Sequence, residues 1–143
     1  MVSLTREVKM KLISRNTDYA ARAVCYIASQ KGNIVSVTDL VRALGIPRPF
    51  LRKILQTLNK KALLVSYKGK GGGFQLARSA DRIFLLDLIE AFQGPFRLNE
   101  CTFKKKVCPN RKKCFLKRKV DSIENYVFSQ LGSVTVESIL KGE

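Results

Sequence analysis

Ser36-Val37-Thr38-Asp39-Leu40-Val41-Arg42-Ala43-Leu44-Gly45-Ile46-Pro47-Arg48-Pro49-Phe50-Leu51-Arg52-Lys53-Ile54-Leu55-Gln56-Thr57-Leu58-Asn59 is the stretch on which the fold turns. Its first four residues make a short form of the capping box. The Ser36 hydroxyl can accept a helix-start amide, and the Asp39 carboxylate three residues on can accept one in return. Leu40, Val41 and Leu44 then supply a brief apolar face, which Gly45 ends. Pro47 and Pro49 suit a turn and the first turn of a second helix. That helix is expected to carry Phe50, Leu51, Ile54, Leu55 and Leu58 inward, with Arg48, Arg52, Lys53, Gln56 and Asn59 outward. Two short helices split by a glycine turn, the second basic at its start, predict a helix-turn-helix.

Toward the C-terminus, residues 63–68 and 74–78 read as two short strands joined by Gly69-Lys70-Gly71-Gly72-Gly73. The glycines suit a tight connection rather than a phosphate loop, because the Gly-Lys-Ser/Thr signature is missing and Phe74 spoils Gly-x-Gly-x-x-Gly. A two-stranded wing fits better, with Lys68 and Lys70 at its tip to meet phosphate or a groove edge. The predicted DNA-contact set is therefore Ser36, Thr38, Arg48, Arg52, Lys53, Lys68 and Lys70. Residues 84–93 form a further helix with Leu85, Leu88, Ile89 and Phe92 at helical spacing, closed by Gly94-Pro95. Toward the N-terminus, Tyr19, Ala20, Ala23, Val24, Ile27 and Ala28 share one helix face, with Asn16 or Thr17 as its cap and Gly32 beyond its end. Cys25 sits beside that stripe and reads as a small buried hydrophobe. Residues 1–9 show no sustained period and read as an extension without a role in the fold.

The whole chain of 143 residues has the length of one ordinary domain, or of a small domain with an oligomerisation segment. Twenty-seven Lys+Arg against 11 Asp+Glu give a formal charge of +16, and there is no His. The missing His excludes every His-dependent triad, general base and metal ligand. The hydrophobic fraction of 45% is enough for a core. No run approaches the roughly 18 apolar residues of a membrane helix, and no signal-peptide pattern follows Met1, so a cytoplasmic chain without a membrane partner is expected. So strong a positive field makes double-stranded DNA the expected partner. An enzyme is disfavoured because no paired acid and base stand out. An RNA-binding protein is disfavoured because no aromatic stacking platform does.

Composition changes between Arg97 and Lys119, where ten Lys/Arg face a single acidic residue, Glu100. Three of the four cysteines fall there as Cys101-x₆-Cys108-x₅-Cys114. A disulfide suits neither an odd count nor a reducing compartment. Zinc sites usually use closer cysteine pairs and often His. An iron–sulfur cluster suits thiolate ligands, and the basic loop offsets its negative charge. Reduced, unliganded cysteines are the remaining reading. Beyond them Leu116, Val120, Ile123, Val127 and Leu131 form a stripe at spacings of 4, 3, 4 and 4. A lone amphipathic helix there needs cover, either from its copy in a homodimer or from its own domain. Gly132 is expected to end it, with a last turn after Thr135. The expected architecture is mainly α with a small β-wing. Residues 10–96 form a winged helix-turn-helix domain, 97–115 a cysteine-rich cluster-binding loop, and 116–143 a dimerisation helix and tail.

Several segments together resemble the family of winged-helix regulators that includes IscR, NsrR and RirA. They are Met10-Lys11-Leu12, Thr17-Asp18-Tyr19-Ala20, Leu44-Gly45-Ile46-Pro47, Phe50-Leu51-Arg52-Lys53-Ile54-Leu55, Gly69-Lys70-Gly71-Gly72-Gly73-Phe74, Leu85-Leu86-Asp87-Leu88-Ile89-Glu90-Ala91 and the three cysteines. The resemblance covers about residues 10–140 and implies a homodimeric transcription factor whose cluster reports iron–sulfur status, nitric oxide or redox state. It assigns Cys101, Cys108 and Cys114 as iron ligands. No His follows the third cysteine, which departs from members with a His-ligated [2Fe–2S] site. Members resembling NsrR use a carboxylate near the start of the first helix of the other subunit, and Asp18 occupies that motif. The resemblance thus favours a [4Fe–4S] cluster with Asp18 as fourth ligand. Relatives often carry Glu where Arg52 stands, and Arg and Pro where Lys68 and Lys70 stand, which implies a different operator preference. The alternative is a repressor of the same fold without a cluster, responding through zinc, thiol oxidation or a metabolite.

Overall fold

The computed structural model describes residues 11–98 and 114–143. Its elements run α1 (Arg15–Ser29), α2 (Val37–Leu44), α3 (Arg48–Lys60), β1 (Leu64–Tyr67), β2 (Gly73–Leu76), a 3-10 turn (Ala80–Arg82), α4 (Leu85–Gln93), α5 (Phe115–Ser133) and α6 (Val136–Lys141). β1 and β2 pair antiparallel, with Leu64 opposite Leu76 and Tyr67 opposite Gly73. The chain is mainly helical with one small two-stranded wing, as the sequence predicts. The predicted extension at residues 1–9 lies outside the described residues.

The apolar periods converge on one core. Ala20, Ala23, Val24 and Ile27 of α1 meet Leu40 of α2, Leu51, Ile54, Leu55 and Leu58 of α3, Leu63 and Leu64 at the wing, and Ile83 and Leu88 at α4. Each large side chain removed from water here contributes about 1.5–3 kcal/mol, so the core rather than helix propensity holds these short helices. Phe50 departs from the expected inward set: it is 55% exposed and belongs neither to the core nor to the shell packed on it. Its position on α3 lies at the edge of the buried stripe, where α2 does not cover it.

The cap of α1 is Ser14 rather than Asn16 or Thr17. The Ser14 hydroxyl accepts from the Thr17 N–H at 3.2 Å. Thr17 is fully buried, and its own hydroxyl donates to Gln93 Oε1 at 2.8 Å. That same oxygen accepts from the Ser14 N–H at 2.9 Å, so the end of α4 fixes where α1 begins.

The wing is fastened to the segment before α2. Val35 N–H donates to the Phe74 carbonyl at 3.0 Å, and Phe74 N–H to the Val35 carbonyl at 2.8 Å. This close approach requires glycine at position 73, where φ is 156° and a Cβ would fall 2.2 Å from the Val35 oxygen.

α5 runs through Gly132 and stops at Ser133. What ends it is a return to the core, not the glycine. The Val134 carbonyl accepts from Leu85 N–H at 2.9 Å, and Val136 N–H donates to the Ile83 carbonyl at 2.9 Å. Thr135 and Ser138 then cap α6 reciprocally, at 3.0 and 2.9 Å. Fully buried Val136 joins the core beside α1. α5 itself is thinly covered. Phe115, Leu116, Ile123 and Tyr126 are 79%, 74%, 53% and 67% exposed, and only Leu131 is buried.

Candidate nucleic-acid interface and cysteine centre

α2 and α3 form the helix-turn-helix through local signals. The Ser36 hydroxyl accepts from Asp39 N–H and the Asp39 carboxylate accepts from Ser36 N–H, both at 3.1 Å. Hydrogen bonds to the carboxylate from the Ser36 hydroxyl and then from the Ser36 N–H hold the Asp39 carboxyl below its ordinary pKa. Gly45 takes the left-handed conformation at φ 65°, and its N–H donates to the Val41 carbonyl at 2.9 Å. Buried Ile46 and Leu51 anchor the turn and the start of α3. The outer face of α3 then presents exposed Arg52, Lys53, Gln56, Asn59 and Lys60, and the helix carries no acidic residue. Its unpaired N-terminal amides add partial positive charge at the same end.

Each predicted DNA-contact residue has a definite place. Arg48 opens α3, and its guanidinium donates to the Thr38 hydroxyl across the turn at 3.1 Å. Thr38 therefore orients Arg48 before any ligand arrives. Arg52 and Lys53 follow on the exposed face, while Lys68 and Lys70 stand exposed at the wing. None of these five basic side chains forms an ion pair among the described residues. The Ser36 hydroxyl is engaged in the α2 cap with Asp39. Phe50 is exposed near this surface instead of buried, because its helical position puts it at the boundary of the buried stripe.

The cysteine region is framed by contacts from distant parts of the chain. Leu98 N–H donates to Glu124 Oε2 of α5 at 2.9 Å, and the rings of Phe96 and Phe128 lie 6.3 Å apart. The segment after α4 is thereby laid against α5. Cys114 caps α5, its sulfur accepting from Lys117 N–H at 3.4 Å. Cys101 and Cys108 lie outside the described residues. Asp18 is in the first turn of α1, paired with Arg22 at 2.8 Å, with 48% of its side chain exposed. The pair is solvent-screened and weak, so the carboxylate can exchange partners. Gln93, which also donates to the Leu12 carbonyl at 3.3 Å, sets the entry of that turn. No periodicity marks Gln93 or Glu124, because their partners lie far off in sequence. Cys25 is partly buried against the core, and desolvation raises its thiol pKa, as fits a packing residue.

No helix among the described residues is long and apolar enough to cross a membrane. The Rrf2 family, described as iron-dependent transcriptional regulators, matches residues 13–142. The regulator IscR of Xenorhabdus nematophila is 30% identical over 136 residues, covering 94% of this chain and 81% of that protein. Among solved structures, CymR, the global cysteine regulator of B. subtilis, superposes with a TM-score of 0.75 at 21% identity, over 94% of this chain and 99% of that one. IscR of T. potens gives 0.70 at 22% identity, over 91% and 86%. These relatives are transcriptional regulators rather than enzymes, and their winged-helix fold is the one described above. The chain belongs to the Rrf2 family of DNA-binding transcriptional regulators.

Proposed function

We propose that this regulator binds an operator as a homodimer and adjusts its grip through an iron–sulfur cluster. The observation that carries the DNA reading is the outer face of α3. Arg48, Arg52 and Lys53 stand there without acidic neighbours on the helix, and Arg48 is already oriented by Thr38. Lys68 and Lys70 extend the charge onto the wing. Ser36 and Thr38, at the start of α2, complete the contact set. Basic side chains on phosphate set register and affinity, while Arg52 is placed to read a base edge. The exposed apolar side chains of α5 supply the self-complementary surface of the dimer. Residues 10–96 act as the reading head, 97–115 as the sensing loop and 116–143 as the dimerisation helix and tail, the tail returning α6 to the core of the reading head.

Cys101, Cys108 and Cys114 would hold the cluster, with Asp18 of the partner subunit as fourth ligand and [4Fe–4S] favoured over [2Fe–2S]. The donor set fits: three sulfurs suit iron, and Asp18 is half-exposed, its carboxylate held by a weak ion pair. Such a cluster supplies iron sites that respond to oxidants and nitric oxide. Two reading heads must sit about 34 Å apart on the duplex, so a small change in their spacing changes affinity sharply. Asp18 on α1 and Cys114 on α5 lie on the two elements whose relative placement sets that spacing. Protein purified without oxygen should be brown, contain iron and acid-labile sulfide, and lose both on Cys114→Ala. Asp18→Ala should alter the spectrum or the lifetime in air. A colourless protein that cannot be reconstituted would overturn the cluster and turn the cysteines to zinc or thiol chemistry. Operator affinity should fall with salt at a log–log slope of about −0.9 per phosphate contact, and Lys68→Ala with Lys70→Ala should flatten it. A flat slope in the unaltered protein would overturn the basic face as the DNA surface.

A further inference from the structure

We infer that Phe50 reads a thymine methyl group in the major groove, which makes it a specificity determinant of the operator. The inference rests on the DNA-binding reading above and deepens it. Phe50 is the one large apolar side chain that α2 and α3 leave in the open, at 55% exposure. It occupies the third position of α3, two residues after Arg48. The first residues of a recognition helix are the ones that reach base edges. At about 100° of rotation per residue, Phe50 lies about 60° from Lys53 around the helix. It therefore borders the sector holding Arg52, Lys53 and Gln56, all of them exposed.

The neighbourhood selects the occupant. Lys53 stands on the sector next to the ring and α3 has no acidic residue, so the surface complements a polyanion rather than another protein's apolar patch. Thr38 draws Arg48 toward α2 through a 3.1 Å hydrogen bond, so Arg48 does not cover the ring. Within a duplex groove the apolar feature available to a phenyl ring is the C5 methyl of thymine, which A, C and G lack. A phenyl group has no hydrogen-bonding atom, so its discrimination comes from removing that methyl from water.

The test uses the full chain and duplexes recovered with it from a randomised pool. Each thymine of a recovered duplex is replaced in turn by deoxyuridine, which removes the C5 methyl alone. One thymine per half-site should show about a fourfold loss of affinity, the effect of about one buried carbon. Phe50→Leu should keep most of that discrimination. Phe50→Ala should bind thymine and deoxyuridine duplexes alike, with melting temperature and salt slope unchanged. Equal affinity of the unaltered protein for both duplexes at every position overturns the assignment, and so does undiminished discrimination in Phe50→Ala. Failure to recover any preferred duplex overturns instead the DNA-binding reading beneath, and this inference with it.

Discussion

α3 and α5 are both amphipathic helices with basic residues, yet they treat their apolar faces in opposite ways. α3 buries Leu51, Ile54, Leu55 and Leu58 in 13 residues and shows the solvent a polar, positive face. α5 buries only Leu131 in 19 residues and leaves Phe115, Leu116, Ile123 and Tyr126 in the open. The first helix is finished by its own domain, and what remains exposed on it is available for a polar ligand. The second is unfinished, and what remains exposed on it calls for an apolar cover. On the proposed reading, one chain separates DNA reading from assembly by where it buries its leucines.

The sharpest way to break this contrast is inside the finished helix. Leu55→Ala should destabilise the chain by about 2–5 kcal/mol, read from denaturant melting, because the tightly packed core cannot collapse around the loss. A similar loss from an α5 substitution would mean that the two helices do not differ as described. Ile123→Glu should leave the melting of the winged domain nearly unchanged while shifting the protein from dimer to monomer in sedimentation. An unshifted sedimentation coefficient would remove α5 from the dimer surface. Thr38→Val should cost about two- to fivefold in operator affinity, since one exposed hydrogen bond orienting Arg48 is lost. Thr38→Ser should restore it, and equal binding by all three proteins would show Arg48 to be indifferent to its tether. The smallest effect concerns the α2 cap. The Asp39 carboxyl is held low by its hydrogen bonds with Ser36, so its stabilising contribution is complete above the ordinary carboxylate pKa. That contribution fades as pH falls through the lowered folded value. The difference in Tm between the unaltered chain and Asp39→Asn should therefore be greatest near neutrality and close in acid.

The helix-turn-helix was legible in sequence because its signals are local. Ser36 with Asp39, Gly45 and Pro47 each act within four residues of their targets. The wing was legible for the same reason, its glycines marking the turn between two paired strands. What escaped depends on partners far along the chain. The Ser14 cap is fixed by Gln93, 79 positions away, and α5 ends where Val134 and Val136 meet Leu85 and Ile83. A glycine such as Gly132 can end a helix or pass unnoticed, and here a Cβ in its place would meet no other part of the chain within 4 Å. Phe50 failed for a geometric reason, since a residue at the rim of an apolar stripe is buried only if something reaches it. In the candidate cysteine centre, composition and spacing singled out Cys114, whereas the contacts of Glu124 and Gln93 that frame it carry no period at all.

The paired bonds between Val35 and Phe74, made possible by Gly73, have a mechanical meaning for DNA. They tie the wing to the base of the helix-turn-helix, so on the proposed reading the tip carrying Lys70 and the helix carrying Arg52 act as the two jaws of a caliper. A caliper does not adapt; the duplex must. Sequences whose grooves already match its gauge, or bend to it at little elastic cost, will be favoured at base pairs that no side chain touches.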